Sequence, residues 1–503
     1  MQDNYFKLMR LEKLLAELHG VKVSDSGEAD ITALCYDSRK VEPGSLFIAI
    51  KGNSVDGHDF VEMAEEQGAT AILAETEKPI NTKAIWIQVS DTRRAMSRLA
   101  ATFYGDPSLG MKVAGVTGTN GKTTTGFLLH HLLKSTWHRA GLIGTVHYDL
   151  GDEVVEASHT TPESLELQGL LAEMSARACR GVAMEVSSHA LEQQRPADVE
   201  FDAAIFTNLT RDHLDYHGTM EDYYEAKREL FVQLARQTTK KKPVGVVNID
   251  DEYGRRLAKE FANKIELITY GLGVHADFRA IDIRFDFKGA EFQLDAKGRS
   301  ALVRLPLIGR FNVYNALAAL AAGSALGINT RESIKSIASS PQVPGRLESV
   351  TDRQSFRVFI DYAHTPDALQ NTINTIRELD PRRVITVFGC GGNRDVPKRA
   401  LMGKVSDQLS DFSVITSDNP RKEDPMAIIE GVVSGFSSDH YKVIEDRRAA
   451  IAAALGLAEK GDVVLIAGKG HEATQTFANE TIEFDDRVVA RQCLNDLKVE
   501  GGH

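Results

Sequence analysis

GVTGTNGKTTT, residues 115–125, decides how this chain is read. Before it runs Met111-Lys112-Val113-Ala114, the start of an apolar strand, and after it FLLHHLLK, a helical stretch. Gly118 and Gly121 allow the backbone to curl until successive N–H groups face one point, and the helix start adds its partial positive charge there. Lys122 can then reach terminal phosphates, and the Thr123 hydroxyl can bind magnesium. The general phosphate-loop spacing asks for glycine five positions before Gly121, where this chain has Val116. Gly115 is one step off, so the loop is a variant. A glycine-rich turn without a ligand is the alternative, and the strand–loop–helix context favours phosphate binding.

Outward from this loop, apolar strands alternate with helices. MKVAGVTG (111–118), GVAMEVSS (181–188), FDAAIFTNL (201–209) and PVGVVNID (243–250) are the clearest strands. That alternation predicts an α/β fold with a largely parallel sheet covered by helices. Residues 1–108 mix short strands and helices and end near Tyr104-Gly105-Asp106-Pro107. A turn-rich stretch, Pro341 to Gly345, reads as a hinge. Beyond it FRVFIDYAH, RRVITVFGCGG, DFSVITSDNP and GDVVLIAGKGHE form a second α/β unit. A chain of 503 residues is too long for one core.

Composition narrows the function classes. The net charge is −12, so a general nucleic-acid binder is not expected, and anionic ligands must be held by local devices. The four cysteines, Cys35, Cys179, Cys390 and Cys493, form no CxxC pair. That argues against a zinc site or a disulfide framework and fits a reducing cytoplasm. MQDNYFKLMRLEKLLAELHG at the start reads as a charged amphipathic helix rather than a signal peptide. No apolar stretch approaches the roughly 18 residues that span a bilayer. The expectation is a cytoplasmic protein without membrane insertion.

Nearly every strand ends in residues too polar or too small for loop filler, and in open α/β sheets ligands bind outside those carboxyl ends. Glu185 ends one strand, and His213 and Asp215 follow another. A lone Glu or His is usually structural. Beside a nucleotide loop, a strand-end Glu is a reasonable magnesium ligand. In TMEDYYEAKRELFVQL the apolar helical stripe runs Met220, Tyr223, Lys227, Leu230, Leu234, which puts a lysine at a core-facing position. Either its stem is buried with the amine in water, or the amine is functional near the metal site. SDNPR, 417–421, raises a similar question: an arginine held at the mouth of a strand either caps its turn or holds an anion.

TGTNGKTT, EVSSHAL, TNLTRDHLDYHG with a downstream EAK, GRFNVYNALAA, PGRLE, DYAHTPDAL, GCGGNRD, SDNPR and AGKGHE occur in this order. Together they resemble the Mur ligase family, from DSRKVEPGSLFIAIKG near the start to AGKGHE near the end. The resemblance implies a three-domain architecture: a UDP-substrate-binding domain at 1–108, a central P-loop ATPase sheet at 109–345, and a C-terminal Rossmann-like domain that binds an amino acid at 346–503. It implies an ATP-dependent ligase of peptidoglycan precursor synthesis. The substrates would be UDP-N-acetylmuramoyl-L-alanyl-D-glutamate (UDP-MurNAc-L-Ala-D-Glu), meso-2,6-diaminopimelate and ATP. A carboxylate becomes an acyl phosphate, and an amine then attacks it. No nucleic-acid partner is implied, and a monomer is expected.

The same resemblance assigns roles to residues. Gly118, Thr119, Asn120, Gly121, Lys122 and Thr124 would hold ATP phosphates. Thr123 and Glu185 would serve one magnesium ion, and His213 with Lys227 a second, Lys227 being carbamylated by carbon dioxide. Asn312 and Asp361 match adenosine contacts and Arg346 a phosphate contact, with His364 in the same DYAHTPD segment. Ser38, Thr160, Thr161, Ser187, Gln193 and Arg195 match contacts to the UDP-sugar dipeptide; the family often has asparagine where this chain has His159. Arg394, Asp418, Asn419, Pro420, Arg421, Gly468 and Glu472 match the amino-acid pocket. Diaminopimelate has a second carboxylate, which an arginine can grip with two parallel N–H bonds, and L-lysine lacks it. The rival readings are a lysine-adding or other Mur ligase, folylpolyglutamate synthase, and a P-loop regulator that hydrolyses ATP without ligation.

Overall fold

The computed structural model describes residues 8–24, 28–52, 55–237, 239–240, 242–350 and 354–500. The chain divides into two compact units. The first comprises Met1–Arg279, Asp295–Arg299 and Tyr314–Ser336, and the second Ala280–Leu294, Ser300–Val313 and Ile337–His503.

Among the described residues the first unit is built on two main sheets, beside a two-stranded pairing of Met9–Arg10 with Asp30–Ile31. The smaller has the strand order Lys22–Val23, Ile85–Gln88, Ala71–Ala74, Ser45–Ile48, Ala33–Cys35. Its first pair is antiparallel and the rest parallel. Parallel strands are covered on both faces, so they carry continuous rather than alternating burial; Ser45–Ile48 and Ala71–Ala74 are buried throughout. Helix Thr92–Tyr104 starts on Asp91, whose side chain accepts from the Arg94 amide, and stops at Gly105 with φ 78°. It lays Met96, Leu99 and Ala100 on that core.

The larger sheet of this unit orders Val154–Glu156, His147–Asp149, Ala140–Ile143, Gly181–Glu185, Lys112–Thr117, Ala203–Phe206, Val244–Asn248 and Glu266–Gly271. From Ala140–Ile143 onward neighbours are parallel. In this register Glu185 lies beside Val116, and Phe206 beside Thr117. The loops after these three strands therefore leave at one edge, on either side of the phosphate loop.

Two stretches read separately in the sequence, 1–108 and the start of the central sheet, share this unit because apolar and polar contacts cross between them. Leu165 packs on the core of the smaller sheet, and the Tyr36 hydroxyl donates to Glu166 at 2.6 Å. Near the N-terminus the helix spans Leu11–Leu15; residues 1–7 of the expected longer helix lie outside the described residues.

The second unit holds a six-stranded sheet ordered Glu348–Ser349, Arg357–Asp361, Val463–Ala467, Val384–Phe388, Phe412–Ile415, Tyr441–Val443. Only its first pair is antiparallel. Apolar clusters cover it on two sides, one built on Leu369, Ile373 and Met402 and the other on Ala450, Ile451 and Ala490. The segments DYAHTPD, GCGGNRD, SDNPR and AGKGHE all follow carboxyl ends of its parallel strands. The stretch read as a hinge is tightly built. Gly345 has φ 64°, and a Cβ there would lie 2.3 Å from the His471 nitrogen. Among the described residues no helix is long and apolar enough to cross a membrane.

Candidate active site

The phosphate loop forms as its glycines demand. Gly118 has φ 147° and Gly121 φ 86°, conformations that side chains rarely adopt. Helix Lys122–Trp137 begins directly after them. The loop is anchored to the next strand's exit: Asn120 N donates to Asn208 Oδ1 at 3.0 Å, and Thr207 Oγ1 donates to the Asn120 carbonyl at 2.7 Å. Lys122 Nζ folds back onto the Gly118 and Thr119 carbonyls at 2.9 and 2.8 Å, which holds its charge over the loop.

Thr123 and Glu185 meet. The Thr123 hydroxyl donates to Glu185 Oε2 at 3.0 Å, and Thr145 donates to the same carboxylate from its amide at 2.8 Å and its hydroxyl at 3.1 Å. Glu185 is buried, with no arginine or lysine paired to it among the described residues. A hydroxyl and a buried carboxylate at a helix start form a hard-oxygen donor set that fits magnesium, with phosphate oxygens completing the shell.

Lys227 lies on the stripe that the sequence marks. Tyr223, Leu230 and Leu234 are buried beside it on helix Met220–Arg236, and Lys227 is 1% exposed. Its Nζ donates to the Gly118 carbonyl at 2.8 Å and sits 4.5 Å from the Tyr223 ring centre. Burial, helped by the charge of Lys122, pulls its pKa well below the ordinary lysine value. The snorkelling alternative is excluded, since the amine does not reach water.

His213 joins this group less directly. Its backbone is left-handed at φ 52°, its side chain is 48% exposed, and its ring lies edge-on to Tyr223 with centroids 6.1 Å apart. Burial lowers its pKa, Asp212 opposes this, and Lys122 and Lys227 lower it further. Asp215 is exposed. Among the described residues no three of His, Cys, Asp and Glu gather as a metal site.

The residues matched to the UDP-sugar dipeptide lie in the same unit, and all but Ser38 are linked by bonds to Thr145, Thr161, Gln193 or Arg195. Thr160 Oγ1 is 3.1 Å from Thr145 Oγ1. Thr161 Oγ1 donates to the Glu185 carbonyl at 2.8 Å and accepts from the Ser187 amide at 3.1 Å. Arg195 donates to the Thr161 carbonyl at 2.7 Å and to Gln193 Oε1 at 2.7 Å. Ser38 is buried beside Met63, two residues after Tyr36. His159 is exposed, with its amide donating to the Tyr148 hydroxyl at 3.1 Å.

In the second unit Asp361 accepts from the Leu347 and Ala363 amides at 2.7 and 3.0 Å and from Thr372 at 3.1 Å. Burial raises its pKa. The Arg346 guanidinium lies 5.0 Å from the Tyr362 ring centre, and its buried Nε has no hydrogen-bond partner among the described residues. An orphaned cationic donor of this kind suits a phosphate oxygen. Asn312 donates to the Ile308 carbonyl at 2.8 Å, and His364 Nδ1 is 2.8 Å from the Tyr362 carbonyl.

SDNPR and AGKGHE come together. Asn419 Nδ2 donates to Glu472 Oε2 at 2.9 Å. A Cβ on Gly468 would lie 2.6 Å from Asp418 Oδ2, so only glycine lets these loops touch. Pro420 is buried, and Arg421, left-handed at φ 54°, donates from Nη1 to the Gly392 carbonyl at 2.9 Å. Arg394 is exposed on the loop after Val384–Phe388.

Three family models match successive stretches. They are the Mur ligase family catalytic domain at 30–104, the Mur ligase middle domain at 116–323 and the Mur ligase glutamate ligase domain at 345–470. The UDP-N-acetylmuramoyl-L-alanyl-D-glutamate–2,6-diaminopimelate ligase of Geobacillus kaustophilus is 47% identical over 491 residues, 97% of this chain and 100% of the relative. The chain belongs to the Mur ligase family. The ligase of the same name from Alkaliphilus metalliredigens is 45% identical, covering 97% of this chain and 98% of its own. A solved structure of a ligase with this name aligns with TM-score 0.71 at 32% identity, covering 98% of this chain and 99% of that one. MurF from Acinetobacter baumannii, at 22% identity and TM-score 0.65 over 92% of this chain and 96% of its own, has the same fold. The Mur ligase fold is three-domain α/β with large parallel sheets, as the sequence leads one to expect.

Sequence reasoning passed over two residues of this Mur ligase site. Thr145 follows the strand Ala140–Ile143 and supplies two of the donors to Glu185; a Gly-Thr pair leaving a buried strand was its only local signal. Lys469, inside the quoted AGKGHE, is fully buried, donates to Asn419 Oδ1 at 3.2 Å and lies 3.5 Å from Glu472.

Proposed function

We propose that this chain uses ATP to join 2,6-diaminopimelate to UDP-MurNAc-L-Ala-D-Glu. The observation that carries the reading is the bond from Asn419, two residues before Arg421, to Glu472, which draws the arginine-bearing and glutamate-bearing loops together. Together they offer a cation for a carboxylate and an anion for an ammonium, the two groups at the far end of diaminopimelate. The curated relatives that match nearly the whole chain carry this substrate in their names.

We assign residues 1–108 to the UDP-linked substrate, 109–345 to ATP and 346–503 to the amino acid. The amides of Gly118 to Thr124 and the Lys122 ammonium hold the phosphates. Asn312 and Asp361 take adenosine, and Arg346 takes a phosphate oxygen through its orphaned Nε. Ser38, Thr160, Thr161, Ser187, Gln193 and Arg195 hold the UDP-sugar dipeptide. Arg394, Asp418, Asn419, Pro420, Arg421, Gly468 and Glu472 shape the acceptor pocket.

Thr123 and Glu185 would hold one magnesium ion, with His213 and a carbamylated Lys227 holding a second. Bound there, magnesium offsets charge on the phosphates and on the substrate carboxylate. A depressed pKa leaves part of Lys227 as free amine, whose lone pair attacks carbon dioxide, forms an N–C bond and releases one proton, giving a carbamate. In ligation the glutamyl carboxylate oxygen takes the γ-phosphoryl group and ADP leaves. The diaminopimelate amine then attacks that carbonyl carbon, phosphate departs and the amine loses a proton. We assign the chemistry to the cytoplasm and read the protein as a monomer.

The test is an amino-acid panel with the UDP-dipeptide and ATP. ADP release should depend on both the UDP-dipeptide and diaminopimelate. Preference for lysine would replace the acceptor assignment, and ATP hydrolysis indifferent to both substrates would overturn ligation.

A further inference from the structure

Arg447 has no part in the contacts assigned above, yet it is fully buried and reaches two strand ends at once. It opens helix Arg447–Leu457 in the second unit. Nη1 donates to the Ser417 carbonyl at 3.3 Å, and Nη2 donates to the Ala467 carbonyl at 3.0 Å. Nε and Nη2 also grip Asp486 with two bonds, at 2.8 and 2.7 Å, and neither side chain is exposed. Asp486 begins the helix Asp486–Glu500, so the pair joins two helices to the sheet.

The two carbonyls are not neighbours. Phe412–Ile415 and Val463–Ala467 are separated by the strand Val384–Phe388. One guanidinium therefore spans a strand and holds the chain where it leaves for Asp418–Arg421 on one side and Gly468–Glu472 on the other. Those segments touch in front of it: a Cβ on Gly468 would lie 2.6 Å from Asp418 Oδ2 and 3.9 Å from Arg447 Nη2. Asp418 and Glu472 are both near enough to favour the Arg447 charge.

A buried ion pair is a poor device for stability alone, because desolvating both charges offsets much of their attraction. Apolar residues would pack those helices as well. What apolar residues cannot do is fix two carbonyls at set positions with directed bonds. We propose that the Arg447–Asp486 pair is a positioning clamp for the acceptor pocket. It sets the separation of the Asp418–Arg421 and Gly468–Glu472 loops, and with it the spacing at which Arg421 and Glu472 meet the carboxylate and ammonium at the far end of the amino acid. This rests on the acceptor assignment made above, and it adds a determinant that touches no substrate.

The test replaces the pair with apolar residues of similar volume, Arg447→Met with Asp486→Leu, in the full chain. The variant should still fold, because both members of the ion pair leave together, with a lowered melting temperature as Asp418 loses a nearby cation and two carbonyls lose a donor. Its KM for diaminopimelate should rise tenfold or more while KM for ATP and for the UDP-dipeptide stay within about twofold. Its preference for diaminopimelate over lysine should shrink. Arg447→Lys keeps a charge for Asp486 but cannot reach both carbonyls, so it should show the same selective rise in KM. It carries the test if the double variant does not fold. A wild-type KM and preference in either folded variant, or equal losses for all three substrates, overturn the clamp. The clamp is judged on whichever amino acid the wild type prefers. A wild type that refuses diaminopimelate therefore overturns the acceptor assignment alone.

Discussion

The Lys227 amine donates to the Gly118 carbonyl across 2.8 Å, from a helix face otherwise filled by Tyr223, Leu230 and Leu234. That bond brings the one charged residue of an apolar stripe against the phosphate loop. Lys227→Ala should lower ligation about a hundredfold or more, the scale of losing a preorganised electrostatic group. Acetate should restore part of the rate by standing in for a carbamate. Steady-state ligation with and without acetate checks this, and an unimpaired variant would end the metal-ligand role.

The same burial has a signed consequence for stability. The folded-state pKa of Lys227 lies below the ordinary lysine value of about 10.4. The unfolded chain therefore binds more protons between the lowered value and about pH 10.4, and stability rises with pH across that window. Lys227→Met should be more stable than wild type at neutral pH, with the gap closing as pH rises. The Gly118 carbonyl stays paired, because Lys122 also donates to it. Urea titrations at several pH values in bicarbonate-depleted buffer measure the gap; a gap that widens with pH contradicts the assignment.

Gly118→Ala should cost more than the roughly 1–3 kcal/mol of a strained backbone alone. Gly118 has φ 147°, and its Cβ would lie 1.8 Å from Thr207 Oγ1. ATP turnover should fall with stability. Gly110→Ala, where nothing lies within 4 Å, is the control and should leave both unchanged. Thermal melts and ADP release are the readouts.

Arg421→Gly and Arg421→Ala separate backbone from side chain. Arg421 holds φ 54°, a conformation that glycine adopts without strain. The glycine variant should keep or raise its melting temperature and the alanine variant should not. Both should lose about a hundredfold in kcat/KM for diaminopimelate, since each lacks the bidentate partner. Arg421→Lys should not rescue, because an ammonium cannot make the planar paired contact. Wild-type selectivity in the glycine variant would reduce Arg421 to a turn cap.

Glu185→Gln keeps the shape that Thr123 and Thr145 bond to but removes the charge. The magnesium concentration for half-maximal ligation should rise by about ten- to a hundredfold. A titration of rate against magnesium decides it, and an unmoved midpoint would remove Glu185 from the metal site.

The sequence by itself determined the strand–loop–helix grammar and the residue types at the strand ends. These are local consequences of chain chemistry: glycine where φ must be positive, continuous apolar runs where strands are buried on both faces, and a period that puts Lys227 among Tyr223, Leu230 and Leu234. It could not decide whether that lysine reached water, because a stripe gives the direction of a side chain and not what covers it. Nor could it pair Thr145 with Glu185, Lys469 with Asn419, or Arg447 with the Ser417 and Ala467 carbonyls. Those contacts join residues 20 to 50 positions apart. They exist only because parallel strands, joined through helices, return their carboxyl ends to one edge of a sheet. Spacing along the chain carries no record of which loops then face each other, and sheet order and register supply it.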